Sequence, residues 1–218
     1  MTAVAQRTAV VAPHGPPSAS PSSSDRTNIV SLNDENVLAG WVELLSRYCW
    51  DCFATLTYSE PVRTSEKVLR DFRRWLWEWQ LLTAVERGLA EVEVKVKKDA
   101  YGRTIKRYQD VRGPWANNYR KGRARPVTVL GVENHRSGLL HAHALIAWSP
   151  LLADLDRRLG WSLWFRGRDE GGFGHGMARI EAPRIQEDVV SYVGKYVAKA
   201  GELYLSPSFD AATLVAAG

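Results

Sequence analysis

Leu140-His141-Ala142-His143-Ala144-Leu145 carries two histidines at alternate positions within an apolar run. The surrounding segment 139–148 is apolar enough to form a strand at the centre of a sheet. Because alternate side chains of a strand point to opposite faces, Ala142 is expected on the packed face with its even-numbered neighbours. Both imidazoles then share the other face. The stretch therefore predicts a central strand that carries a pair of candidate metal ligands.

A second strand is predicted just before it, over Pro126 to Glu133, followed by a turn at 134–138. This turn would return Glu133 to the end of the sheet that bears the histidines. His135 has the same parity as Glu133 and is a rival third ligand. Two imidazoles with an oxygen ligand suit Mg²⁺ or Mn²⁺ better than a closed structural zinc site, since positions remain for water and a phosphate oxygen.

The segment 185–200 has apolar residues at spacings of four, which predicts an amphipathic helix. Tyr192 and Tyr196 form a second stripe on this helix, and each is followed three residues later by a lysine, Lys195 or Lys199. A phenol has an ordinary pKa of about 10. As a nucleophile it needs a neighbouring cation that favours the phenolate, or a metal ion that withdraws electrons from its target.

Taken in order, these features resemble the motifs of the HUH endonucleases, and specifically of two-tyrosine rolling-circle replication initiator (Rep) proteins. The matching segments are Phe53-Ala54-Thr55-Leu56-Thr57-Tyr58, then His141 and His143 with Glu133 ahead of them, then Tyr192 with Lys195 and Tyr196 with Lys199. Histidines before tyrosines is the order of replication initiators and related transposases. The resemblance covers residues 41–200.

The resemblance implies an α+β fold, with an antiparallel central sheet of about five strands, flanking helices, and the tyrosine helix against the histidine face. It further implies that His141, His143 and Glu133 hold Mg²⁺ or Mn²⁺. One tyrosine would attack single-stranded DNA to form a 5′-phosphotyrosine. The implied function is site-specific nicking and joining of DNA, which initiates rolling-circle replication of a plasmid or phage.

The partners implied are single-stranded DNA at an origin, presented alone or in a hairpin, and a host polymerase. The sequence contains no P-loop of the Gly-x-x-x-x-Gly-Lys-Ser/Thr kind, so a helicase is expected from the host or from a part of the protein outside this chain. Two alternatives stay open. One is a transposase with the same chemistry, and the other is a DNA-binding module without catalysis.

Positive charge is concentrated in one region. The chain has a net charge of +5, yet residues 95–125 contain eleven basic residues against two acidic ones. Within this region, alternation predicts a hairpin from strands at 91–98 and 104–111, with a solvated and mostly basic face. Residues 112–125 are expected to form a basic loop. Both are candidate contacts for a polyanion.

The remaining expectations concern organisation. We predict a disordered leader over 1–30, a nuclease domain over 31–205 and a tail over 206–218. A long helix should begin at Thr64-Ser65 and run to about Arg87, with Trp75 and Trp79 in the core. A further helix is expected from Pro150 to about Trp164, followed by a mobile glycine-rich loop over 166–176.

Cys49 and Cys52 are the two cysteines of the chain. A single Cys-x-x-Cys without a partner pair favours buried thiols over a zinc site, and a reducing compartment. No apolar run approaches the roughly 20 residues of a membrane span, and the N-terminus lacks the charged and apolar blocks of a signal peptide. A cytoplasmic protein that contacts no membrane is expected.

Overall fold

The computed structural model describes residues 35–100, 102, 104–134, 140–166, 172–183 and 202–208. These residues form four α-helices and seven β-strands. The helices are α1 (Glu35–Ser46), α2 (Ser65–Glu86), α3 (Pro114–Arg120) and α4 (Arg157–Phe165). The strands are β1 (Cys52–Thr57), β2 (Glu91–Lys98), β3 (Thr104–Arg112), β4 (Val127–Asn134), β5 (Leu140–Ala147), β6 (Ala178–Glu181) and β7 (Glu202–Leu205).

Five of the strands form one antiparallel sheet in the order β6-β1-β5-β4-β7. The predicted α+β class and five-stranded sheet are therefore confirmed, with the histidine strand β5 at the centre. The edge strand β7 was not predicted. Pairing with β4 continues beyond it, because the backbone N–H of Ser206 donates to the carbonyl of Thr128 at 3.0 Å. Ser206 was predicted to begin the tail.

One face of the sheet packs against α2 and α4. Ala142 and Ala144 are fully buried on this face, as the alternation of β5 predicts. Trp75 and Trp79 of α2 are also fully buried, so their predicted core role is confirmed. The Trp79 indole N–H donates to the carbonyl of Asp156 at 2.9 Å, which anchors α2 to the start of α4.

The long helix α2 begins where the sequence places it. Thr64 is the N-cap, and its side chain accepts a hydrogen bond from the backbone N–H of Lys67. At the other end Gly88 has a positive φ of 68°, which glycine adopts at little cost after a helix terminus.

Part of the opposite face is covered by α1. Leu45 of α1 packs with Trp50, Val129 and Leu145 in a second apolar cluster. Val129 and Leu145 are opposite one another in the register of β4 and β5. This cluster therefore occupies the end of the face where β4 begins, whereas the histidines lie nearer the other end.

Two predicted segments differ in the structure. The helix expected from Pro150 is interrupted: a 3-10 turn ends at Leu152, and α4 begins only after Asp156, whose carboxylate caps it by accepting from the N–H of Arg158. Asp154, with a positive φ of 53°, separates the two. The expected loop 112–125 contains α3, because Gly113 turns the chain and Pro114 provides a preformed first helical residue.

Strands β2 and β3 form a separate two-stranded sheet, the predicted hairpin. The Tyr108 hydroxyl donates to Oε1 of Glu78 at 2.6 Å and its ring lies edge-on to Trp77, so the hairpin is attached to α2. Its register shifts near the strand base, where Asp110 adopts a positive φ of 48°. This shift is the mark of a β-bulge.

The described part of the predicted glycine-rich loop is hydrogen-bonded to its surroundings. The backbone N–H of Phe173 donates to Leu163 at 2.7 Å, and that of His175 donates to Trp164 at 3.0 Å. Gly176 has a φ of 141°, and a Cβ there would collide with the carbonyl of Thr57. Residues 172–176 are thus held at the end of β1 instead of forming a loose loop; residues 167–171 lie outside the described residues.

The two cysteines have different surroundings. Cys52 is buried in β1, and burial raises the pKa of its thiol, which keeps it protonated and unreactive. Cys49 is exposed, so the expectation of two buried thiols is wrong for this residue. It lies three residues before the start of β1, outside the alternation that buries Cys52. The leader 1–30 lies outside the described residues.

Candidate metal centre

The predicted ligands are brought onto one face of the central sheet by strand register. His141 is paired with Thr57 of β1 on one side and with Glu133 of β4 on the other. His143 is paired with Thr55 and with Gly131 in the same way. Residues directly opposite one another in antiparallel strands point to the same face. The two histidines, the two threonines and the glutamate therefore form two adjacent rows.

The glutamate contacts the histidine diagonal to it. Oε1 of Glu133 lies 3.2 Å from Nε2 of His143, and the two side chains are 22% and 9% exposed. Gly131, opposite His143, has no side chain in this row, which leaves the space over His143 to the carboxylate. One oxygen donor and one nitrogen donor of the predicted set therefore meet at a partly buried point.

Both imidazoles contact a threonine through Nδ1. Nδ1 of His141 is 3.3 Å from Oγ1 of Thr57, and Nδ1 of His143 is 3.3 Å from Oγ1 of Thr55. A carboxylate can only accept, so we assign the shared proton of the Glu133 contact to Nε2 of His143. Nδ1 of that ring then accepts from Thr55. In each ring Nδ1 contacts a threonine, so a metal ion would be bound through Nε2, which in His143 also contacts Glu133.

These donors fit the chemistry of the implied ion. Imidazole nitrogen and carboxylate oxygen are both ligands of Mn²⁺, and the oxygen suits Mg²⁺. The two rings are nearly parallel, with centroids 6.5 Å apart. Among the described residues no three His, Cys, Asp or Glu side chains are already grouped around one point. Ligation would thus require side-chain rotation. His135, the rival ligand, lies outside the described residues.

Arg179 is a candidate that the sequence reasoning missed. It is paired with Thr55 in the register of β6 and β1, so it lies on the histidine face, in the same row as His143. Its side chain is 75% exposed, and Nη2 lies 2.8 Å from Oε1 of Glu181. The alternation of residues 178–181 could have indicated that Arg179 lies on a polar face. The row of side chains that Arg179 joins, however, depends on the pairing of β6 with β1.

Tyr192, Tyr196, Lys195 and Lys199 lie outside the described residues, as does the helix predicted for them. Their relation to the histidines stays a prediction. Tyr58, the last residue of the first motif, is described and is a poor nucleophile. Its hydroxyl donates to Asp71 at 3.3 Å, and burial together with that carboxylate raises its pKa well above the ordinary value.

His175 lies in a different cluster from the candidate metal ligands. Its Nε2 is 3.9 Å from Oδ2 of Asp71, and its ring packs against Tyr58 and Trp164. The backbone carbonyl of His175 accepts a hydrogen bond of 2.7 Å from the N–H of Ser59. This cluster fixes the chain immediately after the first motif, so its contribution to the site is structural support.

Comparison with protein-family models, with curated proteins and with solved structures found no match to the chain. The candidate site therefore rests on the strand register and on the resemblance of the three motifs. A search of the helices in the described part of the chain found none with the length and apolar character that crossing a membrane requires.

Proposed function

We propose that the protein nicks and rejoins single-stranded DNA at a specific site, using a divalent metal ion and a tyrosine nucleophile, and so initiates rolling-circle replication. The observation that supports this proposal best is the contact between Glu133 and His143, together with the pairing of Glu133 with His141 in the strand register. Two imidazoles and one carboxylate lie on a single sheet face, and a threonine hydroxyl contacts Nδ1 of each imidazole. A purely structural pair would not require this set.

In this proposal His141, His143 and Glu133 bind Mg²⁺ or Mn²⁺. The ion, when bound, supplies positive charge at a non-bridging oxygen of the scissile phosphate and makes the phosphorus more electrophilic. Thr55 and Thr57 hold the two rings in position through Nδ1. Because Nε2 of His143 carries a proton in the contact with Glu133, that proton must leave before the ring can ligate a metal.

In the chemical step one phosphorus–oxygen bond forms and another breaks. The phenolate oxygen of Tyr192 or Tyr196 attacks phosphorus, a phosphotyrosine bond forms, and the bond from phosphorus to the 3′ oxygen breaks. The released 3′ oxygen takes up a proton and becomes the primer end for a polymerase. Lys195 and Lys199 favour the phenolates electrostatically. The second tyrosine would cleave the regenerated site after one round of copying, and reversal of the step would rejoin the strand.

A protein with this function would act in the cytoplasm, together with replicating DNA, a host helicase and a polymerase. A transposase would share the nicking step. The two biological outcomes differ in the DNA that flanks the nicked site and not in any described residue.

The test is adduct formation on a labelled pool of single-stranded oligonucleotides, with Mn²⁺ or with EDTA, followed by a denaturing gel. We expect a protein-sized band that carries the label, requires the metal, and disappears in the Tyr192→Phe/Tyr196→Phe double variant. Tyr204→Phe, on the edge strand β7, is the matched control and should retain the band. An adduct that persists in the double variant, or DNA binding with no adduct across the pool, would contradict the proposal.

A further inference from the structure

The hairpin of β2 and β3 is an ordered arm with an unusual distribution of charge. Residues 95–107 contain six basic residues and one acidic residue, a net charge of +5. Seven of the eight residues of β2 are exposed, including Val94 and Val96 at 44% and 61%. An isolated two-stranded hairpin is only marginally stable in water. Packing against α2 explains why the base of the arm is ordered, but it does not explain the basic half near the tip.

The register of the arm places like charges directly opposite each other. Lys95 is paired with Arg107, so both cations lie on the same face, and Lys97 follows two residues later on that face. Like charges in directly opposite positions destabilise a sheet. Glu93, at 3.6 Å from the Lys95 ammonium, is the acid that partly offsets them on this side. The arrangement costs folding stability, which is expected where a polyanion supplies the compensating charge.

The two faces of the arm have different neighbours. Val94 and Tyr108 form one pair, and Tyr108 contacts Glu78 and Trp77 of α2. This face is directed toward α2. The alternate residues, with Lys95 and Arg107 among them, lie on the face directed away from it. We call this second face the outward face of the arm.

The outward face has the chemistry for duplex DNA. Surfaces that bind single strands use aromatic side chains on which bases stack. The described residues of the outward face near the tip are cationic or aliphatic, whereas the aromatic Tyr108 points the other way. A two-stranded ribbon also fits the major groove of a duplex, which is about 12 Å wide. Cations on such a ribbon neutralise phosphates without reading base sequence.

The arm shares a small pocket with the segment that lies beside the candidate metal ligands. Lys106 lines a small pocket of about 70 Å³ together with Arg74 and Phe173. Phe173 stacks on His175, whose backbone carbonyl accepts from Ser59, two residues beyond Thr57. A duplex on the arm would thus lie on an element that shares a pocket with residues 172–176, which are held beside the strand end where the proposed nicking takes place.

We infer that the outward face of the arm, through Lys95, Lys97 and Arg107, binds the phosphate backbone of duplex DNA. This inference rests on the proposed function for its biological sense, since it identifies the flanking duplex as the feature that holds the protein beside the nicked strand. It does not depend on that function for its test, because binding to duplex is measured without cleavage.

The experiment measures binding of the full chain to a 5′-labelled duplex of about 30 base pairs and to one of its strands, over a series of salt concentrations without divalent metal. Each phosphate contact contributes about 0.9 to the slope of log Kobs against log salt for duplex DNA. For Lys95→Gln/Lys97→Gln/Arg107→Gln we expect the duplex slope to fall by about 2 to 3, with the single-strand slope unchanged. Arg63→Gln/Arg157→Gln/Arg158→Gln removes three exposed charges elsewhere and should leave both slopes as they are.

An equal fall for the single strand, or no fall for the duplex, would overturn the inference. Because Gln at three positions could perturb the hairpin, Lys95→Arg/Lys97→Arg/Arg107→Lys is a second variant, which keeps the charges and should keep the duplex slope. Adduct formation on a single-stranded oligonucleotide separates the two proposals. Adduct formation by the Gln variant at the wild-type level supports the nuclease with a duplex arm. Absence of adduct in wild type contradicts the nuclease but leaves the duplex result standing.

Discussion

Oε1 of Glu133 lies 3.2 Å from Nε2 of His143, although Glu133 is paired in register with His141. The diagonal contact is possible because Gly131 occupies the position opposite His143. The carboxylate therefore contacts one histidine of the predicted set, while its residue is paired in register with the other. The first prediction tests this relationship directly.

Glu133→Gln should lower metal-dependent adduct formation by at least about 100-fold, since the loss of a ligand exceeds the 10–100-fold typical of residues that only orient ligands. The amide keeps the size of the side chain but carries no negative charge for the cation. The measurement is the initial rate of adduct formation across a Mn²⁺ titration. Glu86→Gln, which removes an exposed carboxylate from α2, is the control. An unchanged Mn²⁺ midpoint in Glu133→Gln would exclude Glu133 as a ligand.

Thr55→Val and Thr57→Val should each weaken the apparent Mn²⁺ affinity by about 10-fold or more, with little change in thermal stability. Valine keeps the β-branched shape that suits a strand but removes the hydroxyl that contacts Nδ1 of the paired histidine. Thr83→Val, which removes a buried hydroxyl from α2, is the matched control. Mn²⁺ binding can be measured by the quenching of its paramagnetic resonance signal, independently of cleavage. Equal affinities for all three variants would assign the threonines a packing role.

Arg179→Ala should weaken binding of the scissile strand about tenfold, which corresponds to about 1.4 kcal/mol. Arg179 is paired with Thr55 in the row of His143, so it is a cationic residue beside the candidate metal site. Charge-assisted contacts to phosphate are among the stronger hydrogen bonds, so a large fraction of the effect should return in Arg179→Lys. The measurement is the KM for an oligonucleotide substrate. Arg158→Ala, exposed on α4, is the control; a matching rise in KM there would remove the case for Arg179.

Much of the fold follows from local sequence pattern. The alternation of β5 predicts which side of the strand is packed, and Ala142 and Ala144 are buried there as expected. Thr64 and Gly88 mark the ends of α2 because capping depends on residues adjacent in sequence. β7 has only four residues, and its identity as a strand depends on pairing with β4, about 70 residues earlier. That pairing has no local signature.

The site divides in the same way. His141, His143 and Glu133 are predicted from parity and one turn, both of which are local features. The contacts of Thr55 and Thr57 require the register between β1 and β5, whose partners are more than 80 residues apart. Arg179 requires a further register, between β6 and β1. Positions that orient or surround ligands come from several strands, and so they emerge only when the strand order is known.

A final prediction concerns the buried carboxyl of Glu78, which is 5% exposed and accepts from the Tyr108 hydroxyl. Burial raises the pKa of Glu78 above its ordinary value, although the hydrogen bond from Tyr108 acts against the shift. The folded state then binds this proton more tightly than the unfolded state does. The stability that the group contributes is present below the unfolded pKa of about 4.3 and is lost as pH rises through the folded value.

Glu78→Gln removes this ionisation and keeps an oxygen that can accept from Tyr108. The free energy of unfolding of the variant minus that of wild type should therefore be larger at pH 8 than at pH 4. Urea titrations at the two pH values measure this difference, with the exposed Glu86→Gln on the same helix as the control. If the relative stability of Glu78→Gln were the same at both pH values, the hydrogen bond from Tyr108 would balance the cost of burying the charge; if it fell as pH rose, the hydrogen bond would outweigh that cost.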